Sequence, residues 1–260
     1  MKKIKLSKLK ISYFHRPGKR GTIIFVHGLG CSKDDFINVT KAKELRDYEL
    51  FSFDWPGAGE STYPKSKALE IKDLVKIINA FAIKFSVKRF ILVGHSVGAV
   101  AALLYVVKYP KKVAGFLNVE GSLVFQNAWW SRKIKKAGFD IFRKKLFPDM
   151  VKDLKESKNR GFKRYSHQLS NVSIKSYFDF SISHAKICKN EYLLKKFLKL
   201  KIPKVFIHGA KNKVWLPVIK ELKKNSSIVK VIPKSHHFSF IDNPNEFYKI
   251  LLAFLVGIDK

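Results

Sequence analysis

The chain has 260 residues, enough for one full hydrophobic core, and its 46% apolar and 28% charged residues are ordinary globular usage that excludes the disordered and fibrous classes. Its 52 Lys and Arg against 20 Asp and Glu leave a formal charge of +32, spread from Lys2 to Lys260 without a basic tract or basic helix, so no specific nucleic-acid interface is expected. Two sources compete for that charge: selection for an anionic substrate or one carried by an acidic protein, and a codon-driven bias towards Lys, Ile and Phe.

Leu9–His15 alternates as a strand does, and Pro17-Gly18 turns the chain into the apolar run Thr22–Val26, which reads as a buried strand. A helix is expected over Asp34–Asp47, a strand over Glu49–Phe53, and a helix over Leu69–Phe85, where apolar residues fall at helical spacing. The strand Arg89–Val93, the helix Val97–Lys108 halted by Pro110, and the strand Val113–Val119 follow. Residues 122–200 break the alternation with Lys-rich helical segments carrying Trp129, Trp130, Phe139 and Phe142, and read as a helical cap inserted into a core made of residues 1–121 and 201–260. The core pattern resumes with the strand Lys204–His208, a helix from Pro217, the strand Ile228–Ile232 and an amphipathic helix from Pro244 to the end. Strands alternating with helices predict an α/β fold whose mostly parallel sheet is flanked by helices, with ligands bound beyond the carboxyl ends of the strands.

Cys31 and Cys188 share no metal-ligand spacing, so neither a disulfide framework nor a zinc site is expected, and a reducing compartment fits. The basic start MKKIKLSKLKISYF leads into no apolar run with a cleavage site, and no stretch is apolar enough to span a bilayer. The expected location is the cytoplasm.

Chemistry enters at Gly94-His95-Ser96-Val97-Gly98, between a predicted strand and a predicted helix. In that setting a serine sits on a sharp turn that lifts its oxygen above the sheet, the glycines relieve clashes, and the helix N-terminus favours developing negative charge. A serine hydroxyl needs a base, and imidazole titrates in the useful range.

With this elbow the chain resembles the α/β-hydrolase family over nearly its whole length apart from the cap. His27-Gly28 is similar to the family's oxyanion loop, Asp54-Trp-Pro-Gly-Ala-Gly-Glu-Ser61 to its D-x-x-G-x-G-x-S loop, and Ser235–Pro244 to its histidine loop. The resemblance implies Ser96 as nucleophile, His237 as base with His236 as the competitor, and the backbone N–H groups of Leu29 and Val97 as the oxyanion hole. It makes His27 a loop organiser and His95 a structural neighbour, while His167 and His184 of the cap are either exposed or substrate-lining.

One position departs from the family. Where its acid usually follows the strand Val205–His208, this chain has Gly209-Ala-Lys-Asn212, and asparagine cannot carry the charge that stabilises an imidazolium. Glu120, ending the preceding strand, is the alternative acid, ahead of Asp242, and keeps the order nucleophile, acid, histidine. The expected activity is hydrolysis of a carboxylic ester or thioester by an acyl-enzyme mechanism, with no metal or organic cofactor implied and with Trp129 and Trp130 beside an apolar substrate. Amide or carbon–carbon bond hydrolysis, and a catalytically weak binding protein, are the alternatives.

Overall fold

The computed structural model describes residues 2–225 and 228–258. Eight strands form one sheet: β1 (Lys2–Leu6), β2 (Leu9–Arg16), β3 (Thr22–Val26), β4 (Glu49–Phe53), β5 (Phe90–His95), β6 (Val113–Val119), β7 (Lys204–Gly209) and β8 (Val229–Ile232). Their order is β1-β2-β4-β3-β5-β6-β7-β8. β1 and β2 join antiparallel, and every pair from β4 through β8 is parallel.

The central strands are mostly apolar because both of their faces are covered. Ile24, Val26, Phe51, Phe53 and Leu92 point to one side, where α1 (Ile71–Lys84) and α2 (Val97–Lys108) pack. Their chain neighbours Ile23, Phe25, Leu50, Ile91 and Val93 point to the other, against Phe247, Leu251 and Leu255 of the last helix. This period of two divides the core into two layers separated by the sheet.

The residues joining β6 to β7 are helical: α3 (Trp129–Ile141), α4 (Phe147–Glu156), α5 (Arg160–Gln168), α6 (Ile174–Ile187) and α7 (Tyr192–Leu198). Gly138, at φ 78°, kinks α3 where only glycine fits without strain. These helices are pinned to the loops above the sheet by polar contacts. Ser176 Oγ donates to Pro56 O at 2.6 Å, Tyr165 Oη to Leu29 O at 2.9 Å, and Asp242 accepts from Asn159 Nδ2 and Gly161 N at 3.0 Å each. α8 (Leu216–Lys224), α9 (Ser239–Asp242) and α10 (Pro244–Ile258) complete the chain.

Three expectations need correction. Over Asp34–Asp47 the chain makes 3-10 structure, Lys33–Lys41 and Lys43–Leu45, in place of one regular helix. The basic start forms β1, paired with β2 through Ile4 and Leu6, a strand the sequence reading did not assign. A short helix, α9, stands between the histidine loop and α10. The last helix begins at Pro244 as expected, and the final two residues, Lys260 among them, lie outside the described residues.

Candidate active site

β5 ends in His95 and α2 begins at Val97, so Ser96 makes the whole turn, at φ 53° and ψ −127°. For a non-glycine residue that is a costly conformation, held because the chain on both sides is fixed. Ser96 N donates to Val119 O at 2.9 Å, and the flanking glycines are sterically required. A side chain on Gly94 would strike the Ala99 backbone, and one on Gly98 the carbonyl of His27.

Glu120, directly after β6, is fully buried and also at positive φ, 50°. Its Oε1 accepts from Gly209 N at 2.7 Å, and its Oε2 lies 2.6 Å from His237 Nδ1 and accepts from Asn212 Nδ2 at 2.6 Å. His208 Nδ1 stands 3.3 Å from Oε1. Burial pushes the carboxyl up, but His208, His237 and the Gly209 N–H outweigh it and leave the pKa below the ordinary value. Glu120 is therefore ionised at neutral pH, and His237 Nδ1 carries the proton that faces it. Nε2 of His237 keeps the lone pair a base needs.

The imidazole of His237 is held from two further sides. It stacks on Trp215 with centroids 6.3 Å apart and planes 5° from parallel, while His95 Nε2 donates to the His237 carbonyl at 3.0 Å. Burial holds His95 well below its usual pKa, so its ring is neutral.

The loop after β3 is organised by His27. Its Nε2 accepts from Trp55 N at 3.0 Å, which puts the proton on Nδ1, 2.8 Å from the Gly28 carbonyl. Buried against Trp55, His27 is lowered to about 3 and stays neutral. Asp54 anchors the same loop, accepting from Lys33 N at 2.7 Å and pairing with buried Lys33 Nζ at 3.2 Å.

Ser96, His237, Leu29, Val97, Trp129 and Trp130 all line one cavity of about 680 Å³. Val97 opens α2, so its N–H has no acceptor within its own helix. Trp129 is 52% exposed at the wall, whereas Trp130 is half-buried and donates from Nε1 to Tyr177 Oη at 3.1 Å.

The remaining candidates fall away from the serine's partners. His236 faces Phe162, its backbone N–H held by Asp242, so Asp242 braces the loop rather than the imidazole of His237. His167 is exposed; His184 is buried and lines the cavity. Asn212 occupies the expected acid position and Trp215 follows it closely, whereas His208 and Tyr165 carry no motif that would signal them.

Among the described residues, the side chains that could hold a metal ion are Cys31, Asp35 and His95, whose ligand atoms lie within 4.8 Å of one another. Burial raises the Cys31 thiol and lifts Asp35 to about 6, so a metal there would first have to displace the thiol proton.

The family model described as the alpha/beta hydrolase fold matches residues 21–244. Among relatives, the pimeloyl-[acyl-carrier protein] methyl ester esterase of Wigglesworthia glossinidia brevipalpis is 29% identical over 90% of this chain and 93% of its own. A putative esterase/lipase of Mycoplasma pneumoniae is 35% identical over 86 residues, covering 33% of this chain and 32% of its own length. Among solved structures, a carboxylesterase of the thaumarchaeon Nitrososphaera gargenis superposes with a TM-score of 0.84 at 15% identity over 99% of both chains. Strand order, serine elbow and family match agree, and the chain belongs to the α/β-hydrolase fold family.

Proposed function

We propose that the protein hydrolyses small carboxylic esters, thioesters included, through a Ser96–His237–Glu120 triad. His237 Nε2 takes the Ser96 proton as Oγ attacks the carbonyl, the N–H groups of Leu29 and Val97 hold the oxyanion, and the protonated imidazole then gives its proton to the leaving group. Water, deprotonated by the same nitrogen, releases the acid from the acyl-enzyme. Glu120 fixes the imidazole and stabilises its positive charge without taking its proton. The helices between β6 and β7 act as a cap, and Trp129 and Trp130 offer an apolar wall to the substrate.

The observation that carries this reading is the 2.6 Å contact between a buried carboxylate and His237, in one cavity with a serine on a strained elbow. Asn212 donates to Glu120 rather than leaving a hole where an acid belongs, which supports an active enzyme over a binding-only role. The ester reading agrees with relatives named as esterases and lipases.

A fluorophosphonate probe should label the wild type and not Ser96→Ala, with p-nitrophenyl ester turnover lost in parallel. An unlabelled and inactive wild type would leave the binding-only role. A second substrate reading, an acyl group delivered by an acidic protein, is favoured by the charge of +32 and by the relative named for an acyl-carrier-protein ester. It requires kcat/KM on that substrate to fall steeply with salt, and indifference to ionic strength would end it.

A further inference from the structure

Where the loop after β6 meets α3 and α6, the cavity changes character, and Ser122, Asn127, Ser131 and His184 line it in place of aromatic and aliphatic side chains. Ser122, Ser131 and His184 are 4%, 3% and 3% exposed. Asn127 uses its Oδ1 to accept from the N–H groups of Leu123 and Val124 at 3.4 and 3.3 Å, and Ser131 Oγ lies 2.8 Å from His184 Nδ1. Two buried atoms of this group are left without a partner, Asn127 Nδ2 and His184 Nε2. An unpaired buried polar atom is a cost to the fold, and neither of these belongs to the proposed triad or oxyanion hole.

Charge narrows what could pair with them. Burial, reinforced by the Arg132 charge, lowers His184 to about 3, so the ring is neutral. Apart from histidines, the charged side chains lining the cavity are Lys133, Asp149 and Asp153, all exposed, with two acids to one base in a chain of opposite overall sign. Arg132, whose charge reaches His184, does not line the cavity and is already engaged by the Phe125 carbonyl and ring, so a buried carboxylate would find no free cation here to offset its desolvation. A hydroxyl both accepts and donates, so it can accept a hydrogen bond from Asn127 Nδ2 or pair with His184 Nε2 whichever tautomer the ring adopts.

We infer that Asn127 and His184 form a specificity subsite that hydrogen-bonds an uncharged hydroxyl carried by the ester substrate away from its scissile carbonyl. The inference rests on the esterase reading and adds the substrate class, a hydroxylated neutral ester. A site built to pair such a group discriminates strongly against the analogue that lacks it, since its own polar atoms then stay unpaired.

Two matched substrate pairs test it: p-nitrophenyl hexanoate against its terminally hydroxylated counterpart for the acyl side, and propyl octanoate against monooctanoylglycerol for the alcohol side. In at least one pair the hydroxylated ester should be favoured by about tenfold or more in kcat/KM. That ratio should fall towards unity in Asn127→Asp, which keeps the oxygen that caps Leu123 and Val124 but removes the donor, and in His184→Phe. Either variant suffices, because a merely structural role would lower both members of a pair alike. Equal turnover of both pairs by the wild type, or a preference that survives the substitutions, would overturn the subsite while leaving the esterase standing. A wild type that hydrolyses no ester would overturn both.

Discussion

The ends of β6 and β7 lie side by side in the sheet: the first is followed directly by the carboxylate of Glu120, and the second, after Ala210 and Lys211, by the amide of Asn212. Both reach the same spot, since Asn212 Nδ2 and His237 Nδ1 each lie 2.6 Å from Glu120 Oε2. In the proposed triad, the difference teaches that the acid is defined by what it touches and not by the strand that presents it. An amide beside the carboxylate is a donor, and so stabilises the charge that a second carboxylate would repel.

Removing the charge at β6 should break the comparison most. Glu120→Gln keeps the shape and loses the anion, and kcat should fall by about 10³–10⁴ while labelling by the fluorophosphonate slows, with circular dichroism reporting an unchanged fold. Exchanging the two ends sharpens it: Glu120→Gln combined with Asn212→Asp should recover about tenfold or more of the activity lost in the single variant, measured as kcat on the same ester. If the double variant is no better than Glu120→Gln, geometry at β7 cannot supply the acid.

Asn212→Asp alone sets two carboxylates against one another, so one of them holds a proton at neutral pH. Its pH profile should shift, and kcat at pH 7 should drop by roughly tenfold. An unchanged profile would mean that the introduced carboxylate turns away from Glu120.

The smallest effect concerns stability. His27 and His184, each lowered to about 3 by burial, stay neutral in the fold and charge freely when unfolded. Their contribution is fully present above about pH 6.5 and is lost as pH falls towards 3, at about 1.4 kcal/mol per pH unit for each ring. Asp35 has the opposite sign, since its carboxyl, raised to about 6, contributes stability below its unfolded value that is lost as pH rises through 6. His95, likewise held neutral by burial, adds to these two rings against the one carboxyl, so the net is a fall: the thermal midpoint should decline as pH drops from about 6.5 to 5, and His184→Phe should flatten that decline. A midpoint that is level across this range would mean that these imidazoles are solvated.

Much of this was legible in the chain because the strongest signals are local. Thr22–Val26, Glu49–Phe53 and Val113–Val119 are short apolar runs bounded by turns or charges, and the structure returns them with the same limits. The elbow was legible for the same reason, as a serine between two glycines at a strand–helix junction. β1 was hidden because KKIKL carries only two apolar residues and owes its place to pairing with β2. The bonds that define Glu120 join residues 89, 92 and 117 positions apart, and no spacing rule reaches that far. Asn212 looked like a missing acid because sequence shows a residue type and not its partner.

β1 also bears on how the molecule behaves in company. An open sheet ends in two rows of unpaired backbone groups, which invite another chain to add a strand. Here one outer strand carries Lys2, Lys3 and Lys5, all exposed, and the other carries exposed Lys230. A second molecule approaching edge to edge would bring lysine against lysine in a register that places like charges opposite one another. Lysines on both outer strands thus oppose edge-to-edge pairing whatever the substrate, and neutralising the β1 lysines should cost solubility before it costs catalysis.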